Sequence, residues 1–253
     1  MSIKEKIEKL IAGDKKTKTT VLTELDKALI NAKTAEETKR LIAAGADVNA
    51  KDEYGDTALI CCSRHMFNTA FALAVGLRKT PEEAYREKEE AYPETVEQMK
   101  LLIAAGANVN AKDKFGDTAL DYVLFERKTD IEKMKLLIAA GANVNEGKYS
   151  PLMRAQTTEQ TKILIAAGAN VNAKDRYGKT PLMHAHTPEQ VKLLIAAGAD
   201  VNARDKEGCS ILHFCYGPHG EEIETLIKEA MAKVQPSMTN IIKMKLKKFV
   251  KGR

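Results

Sequence analysis

Residues 187–202 read Thr-Pro-Glu-Gln-Val-Lys-Leu-Leu-Ile-Ala-Ala-Gly-Ala-Asp-Val-Asn. The latter part, Leu-Ile-Ala-Ala-Gly-Ala-(Asp/Asn)-Val-Asn, occurs five times, with its glycine at Gly45, Gly106, Gly141, Gly168 and Gly198. Repetition of this kind specifies a stack of small units, each burying its apolar face on the next. Aromatics make up only 5% of the chain and Trp is absent, so the contacts fall to Ala, Leu, Ile and Val, which suits thin, closely spaced helices.

Each block carries its own start and stop signals. Eleven residues before the glycines stand Thr34, Thr95, Asp130, Thr157 and Thr187, all good helix N-caps. Three residues further on come Glu37, Gln98, Lys133, Gln160 and Gln190, so four of the five units carry a capping box. The glycine after Leu-Ile-Ala-Ala supplies the left-handed residue that closes a helix. Between them, Leu41, Leu102, Leu137, Leu164 and Leu194 share one register and the following Ile the next. Both are expected in the core, at roughly 1.5–3 kcal/mol per buried side chain.

After the glycine, four units continue as Val-Asn-Ala-(Lys/Arg)-Asp-x-(aromatic or Glu)-Gly-x-(Thr/Ser), for example Val171 to Thr180. Asp and Gly at that spacing specify a tight turn, and Thr180-Pro181-Leu182-Met183 then starts a second, short helix. One unit is thus a β-turn finger followed by a helical hairpin. Asp175-x-x-Gly178-x-Thr180-Pro181-Leu182 and Leu194-Ile195-x-x-Gly198-Ala199-Asp200-Val201-Asn202 resemble the ankyrin repeat over most of residues 1–234. The resemblance implies an all-α solenoid of stacked hairpins with β-turn fingers, and a scaffold that binds another protein on a concave finger and inner-helix surface.

The family's period is about 33 residues, whereas the glycines here are 61, 35, 27 and 30 apart. The two short intervals imply a trimmed loop between helices, and the finger between Asn145 and Pro151 is stubby. Leu10-Ile11-Ala12-Gly13-Asp14 and Leu226-Ile227-Lys228-Glu229-Ala230 read as degenerate caps, the latter with a wet outer face. Counting both gives seven units. The long interval holds an insertion over about residues 64–93, for which two arrangements fit. Without Gly or Pro from Ala58 to Val75, the first helix can run on and form an antiparallel helical arm; alternatively Ala74-Val75-Gly76 is the worn end of an extra repeat.

Charge divides the chain. The total is +5, but residues 235–253 alone carry +6, leaving the first 234 residues at −1. Ile242, Leu246, Phe249 and Val250 share a helical face in that tail, while the alternating Ile242, Met244 and Leu246 fit a strand as well; the alternative function is an anchor on an anionic membrane or nucleic acid. The charged start Met-Ser-Ile-Lys-Glu-Lys lacks a signal-peptide apolar stretch. The expectation is a cytoplasmic monomer; delivery into a host cell by a non-Sec route is compatible with it.

Chemistry has little foothold. Cys209, His213, Cys215 and His219 suggest zinc by spacing, but His213 falls at the family's Thr-Pro-Leu-His position, which implies turn hydrogen bonds, and Cys215 at a small buried position. Cys61, Cys62 and His65 are helical neighbours. His184 and His186 flank a short loop and are expected to be exposed. No nucleophile elbow, phosphate loop or His-Glu-x-x-His occurs, so neither catalysis, cofactor nor metal is expected. Lys39, Lys100, Lys135, Lys162 and Lys192 read as a solvated outer face.

The candidate contact residues lie on the fingers. Tyr54, Phe115 and Tyr177 share the tip register, with Glu207 in the last unit and Tyr149 in the stubby finger. Two readings are open: an aromatic ridge that anchors a partner, or rings that each lie on the next finger's stem. Beside them Glu53, Asp56, Lys114, Asp117, Arg176, Lys179, Lys206 and Cys209 fill positions that the resemblance assigns to specificity.

Overall fold

The computed structural model describes residues 18–64, 95–125, 131–146, 150–215 and 218–233, with side chains from residue 24 onward. The stubby finger's Tyr149, most of the 64–93 insertion, the first cap's Leu10 to Asp14 and the 235–253 tail lie outside the described residues. The chain divides into two compact units, residues 1–143 and 144–253. The described residues form helices joined by turns and contain no strand, only an isolated bridge between Arg204 and Ser210.

Unit 1 contains α1 (Lys18–Ile30), α2 (Ala35–Ala43), α3 (Ala58–Ser63), α4 (95–104), α5 (Ala119–Phe125) and α6 (Ile131–Ala139). α1 packs on α2, α3 on α5, and α5 on α6. Leu41, Leu59, Met99, Leu102, Leu120, Leu124 and Leu137 fill its core. Unit 2 contains α7 (Pro151–Arg154), α8 (Thr158–Ala166), a 3-10 turn (Pro181–His184), α9 (Pro188–Ala196), a second 3-10 turn (Ile211–Phe214) and α10 (220–233). Leu152, Leu164, Leu182, Val191, Leu194, Ile211 and Ile227 are its buried anchors.

Helix starts and stops follow the sequence closely. The Thr157 and Thr187 side chains accept from the Gln160 and Gln190 amides, and both glutamines return the bond to the cap backbone. Thr34 accepts from the Glu37 amide at 3.1 Å, but the Glu37 carboxylate accepts from Lys33 instead of Thr34. At the other end the repeat glycines adopt φ between 84° and 92°. In α8, Gly168 N–H donates to Ile165 O at 3.0 Å and Ala169 N–H to Leu164 O at 2.9 Å, which satisfies two carbonyls that the helix end would leave open.

Three expectations need correction. The register Leu is fully buried in every unit, but Ile42, Ile103, Ile138, Ile165 and Ile195 are only half-buried, because the step of one residue turns the side chain about 100° off the core axis. The shortened units lose residues from the inner helix as well as the joining loop: α7 and the Pro181–His184 turn span four residues each, against seven for α5. The helix beginning at Ala58 does not run on to Val75. It ends at Ser63, whose hydroxyl donates back to Leu59 O at 2.8 Å, and Arg64 turns away toward the finger. In the last cap the buried face is Ile223, Ile227 and Ala230, with Leu226 half-buried.

Candidate functional site

The fingers are built from a single carboxylate each. Asp52, Asp113, Asp175 and Asp205 each accept through Oδ1 from the amides two and four residues on, at 2.8–3.0 Å. Asp recurs because its short side chain reaches forward over its own turn. The residue that donates the first of those amides is held outward, and that is the aromatic position. Adjacent fingers are also joined through backbone: Lys114 N–H donates to Tyr54 O at 3.0 Å in unit 1, and Lys206 N–H to Tyr177 O at 2.9 Å in unit 2.

This construction places Tyr54 at 56%, Phe115 at 66% and Tyr177 at 50% exposure. They are tips; none lies buried on the stem of the next finger. The Arg176 guanidinium stands 4.7 Å from the Tyr177 ring centroid, and the Lys179 ammonium 4.4 Å from that of Phe214. Glu53, Lys114, Arg176, Lys206 and Glu207 are exposed, while Asp117, Lys179 and Cys209 are half-buried.

Asp56 behaves otherwise. It is 2% exposed, and its carboxylate pairs with Arg64 Nη2 at 2.6 Å, so it faces into unit 1 and is not a contact residue. Arg64 also meets Asp113 Oδ2 at 3.4 Å and Tyr122 Oη at 3.0 Å, and Tyr122 donates to the same Asp113 oxygen. Burial pushes the Asp56 carboxyl up from its ordinary value, against the pull of Arg64. Burial and the bond to Asp113 raise the Tyr122 phenol, which stays protonated. The cluster sets one guanidinium between two buried carboxylates and ties finger to inner helix.

Unit 2 solves the same position differently. His184 occupies the register of Tyr122, nine residues after the finger Asp, with Nε2 3.5 Å from Asp175 Oδ2. It is half-buried, contrary to expectation, because Asp175 draws it against the finger base; burial lowers its pKa, opposed by Asp175. His186 is exposed. His213 Nδ1 accepts from the Ser210 amide at 3.2 Å, the turn role its position implied, and Cys215 Sγ donates to Ile211 O at 3.4 Å. Burial pushes both Cys61 and Cys62 up to about 12, leaving them as protonated thiols.

A further set of residues went unread in the sequence. Asn49, Asn110, Asn145 and Asn172 each donate through Nδ2 to the helix-ending glycine carbonyl of the next repeat: Gly106, Gly141, Gly168 and Gly198, at 3.0–3.3 Å. Each accepts through Oδ1 from the amide two residues beyond that glycine, at 2.7–2.8 Å. The outer lysines stay on the solvent side. Lys100 bridges Glu97 and Glu132, and Lys192 bridges Glu189 and Glu222, at 3.6–4.0 Å.

Asp-closed fingers, glycine-stopped helices and an asparagine ladder between repeats define a helical repeat protein with exposed aromatic side chains on its fingers. The family model described as ankyrin repeats (3 copies) matches residues 90–175, 129–205 and 155–237, more than half of the chain. The chain belongs to the ankyrin repeat family. Among solved structures it is similar to an ankyrin repeat domain from Acinetobacter baumannii AYE, with 26% identity over 82% of this chain and 97% of that one, at a TM-score of 0.61. The same fold recurs, at 22% identity and a TM-score of 0.56, over 83% of this chain and 96% of a chain in the structure of the Bdellovibrio bacteriovorus predatory endopeptidase Bd0816 with immunity protein Bd3460. It recurs again in EF0377, an ankyrin repeat protein, at 19% identity and 0.58 over 82% and 97%. No curated protein matches the sequence.

Proposed function

We propose that the chain is a non-catalytic scaffold that holds a partner protein against its fingers and inner helices. Ankyrin repeats are generally protein–protein interaction modules, and members of the family are typically scaffolds without catalysis. One observation carries the reading to this surface. Among the described residues four large hydrophobic side chains are exposed, and three of them, Tyr54, Phe115 and Tyr177, share one finger-tip position. An exposed ring does not help the core, and repetition at a single register supports a contact role; aromatic side chains are the commonest interface anchors.

Unit 1 offers Tyr54 and Phe115, flanked by Glu53, Lys114 and Asp117. Unit 2 offers Tyr177, flanked by Arg176, Lys179, Lys206, Glu207 and Cys209. The test is capture from the source cell, identification of the captured protein, and comparison of its affinity for the native chain and for Tyr54→Ala/Phe115→Ala/Tyr177→Ala. Binding weakens at least about tenfold, while the circular dichroism spectrum and melting curve stay as they were. Undiminished affinity moves the site to the outer helices or the 64–93 insertion.

A further inference from the structure

We infer that the two fingers of unit 2 recognise an acidic segment of the partner protein, a choice of chemistry that rests on the reading of the fingers as the capture surface. Fingers 174–179 and 204–209 carry five cations and three acids, whereas fingers 51–56 and 112–117 of unit 1 carry three cations and five acids. Exposure sharpens the contrast. Lys174, Arg176, Arg204 and Lys206 are exposed, and of the three acids only Glu207 is. The side chain of Asp175 is 2% exposed, and both Asp175 and Asp205 spend Oδ1 on their own turn amides. What the finger pair presents outward is therefore positive.

The cations also act together. Lys206 N–H donates to Tyr177 O at 2.9 Å, which fastens the two fingers side by side and sets the Lys206 stem beside Gly178. Among the described residues no carboxylate stands within ion-pair distance of Lys174, Lys179, Arg204 or Lys206. Lys192, on the outer helix of the same unit, differs: it is matched by Glu189 and Glu222. Lys174 and Lys206, left without an acid, attract carboxylates at long range, and the exposed Tyr177 ring attracts an apolar side chain at contact. The arrangement favours an acidic peptide over nucleic acid. Phosphate backbones call for a continued basic track, whereas this patch covers two fingers and contains the exposed Glu207.

The experiment uses the full chain and two labelled probes, followed by fluorescence anisotropy: a twelve-residue Glu-rich peptide with two Leu, and a single-stranded oligonucleotide of equal charge. The native chain binds the acidic peptide, and the affinity falls steeply as salt rises from about 50 to 300 mM. Arg176→Glu/Lys206→Glu weakens it at least about tenfold, while Lys192→Glu, on the outer helix, changes it less than about twofold. Far-UV circular dichroism shows that the variants keep the fold. Absence of peptide binding, equal binding by the finger and outer-helix variants, or tighter binding of the oligonucleotide overturns the inference.

The captured cellular partner separates this inference from the reading beneath it. If the aromatic triple variant loses that partner while Arg176→Glu/Lys206→Glu retains it at all salt concentrations, the fingers capture without acidic recognition, and only the inference falls. If the aromatic variant retains it, the capture surface itself is wrong.

Discussion

Two glycines of unit 2 show how one residue type does two jobs. Gly168 ends α8 at φ 84°, and a Cβ there meets nothing within 4 Å, so its cost is purely conformational. Gly178 turns a finger at φ 82°, and a Cβ there comes within 3.0 Å of Lys206 N, where the two fingers are joined. Gly168→Ala should therefore cost about 1 kcal/mol in urea unfolding. Gly178→Ala should cost more, because the strain adds to the displacement of a backbone hydrogen bond, and equal midpoints for the two variants would contradict the contact. Both glycines were readable in the sequence as left-handed residues; the close approach at Gly178 was not, since it involves a residue 28 positions away. Asp56 was misjudged for a similar reason: Arg64 takes it inward, and nothing in the local pattern announces that pairing. His184 gives the residue scale a pH signature. Burial lowers its pKa below the ordinary value of 6.5, so the folded chain binds this proton less readily than the unfolded one. Its contribution to stability is complete above pH 6.5 and is lost as pH falls through the lowered folded value. Melting temperatures of the native chain should fall faster than those of His184→Gln as pH drops from about 7 to 5, and parallel curves would exclude His184 as the cause.

At the scale of elements, the helices are specified locally and their connections are not. Thr157 and Gln160, or Thr187 and Gln190, can be read as reciprocal caps because both partners lie within one turn. The asparagine ladder is invisible to the same reading, because Asn172 bonds the carbonyl of Gly198 and the amide of Asp200 across a whole repeat. Asn172→Ala removes both bonds and should cost about 1–2 kcal/mol, with faster hydrogen exchange at the Asp200 amide and no change at Gly168. Unchanged exchange at Asp200 would show that the ladder carries no stability. Where residues are missing, the structure shortens what it can spare. The inner elements of unit 2 shrink to single turns led by Pro151 and Pro181, which still bury Leu152 and Leu182. Apolar periodicity locates those leucines, but a three-residue deletion looks the same in sequence whether it falls in a loop or a helix.

For the whole molecule, the repeat supplies a framework and the fingers supply the difference. The outer lysines recur in register on the solvent side, and Lys100 and Lys192 are each bridged by glutamates on their own and the next helix. The finger tips recur in position and vary in charge, negative in unit 1 and positive in unit 2, with an exposed ring held outward in each. Fold and finger register were legible because they repeat; the positive face of the unit 2 fingers became legible only once side-chain exposure separated turn-building acids from presented cations. The most direct test of the central claim is hydrogen–deuterium exchange of the full chain with and without its captured partner. Capture through the fingers predicts slowed exchange in 53–56, 114–117, 176–179 and 206–209, with α8 and α9 unaffected on their outer faces. Protection confined to the outer helices or to the 64–93 insertion, with the four fingers unchanged, would contradict it.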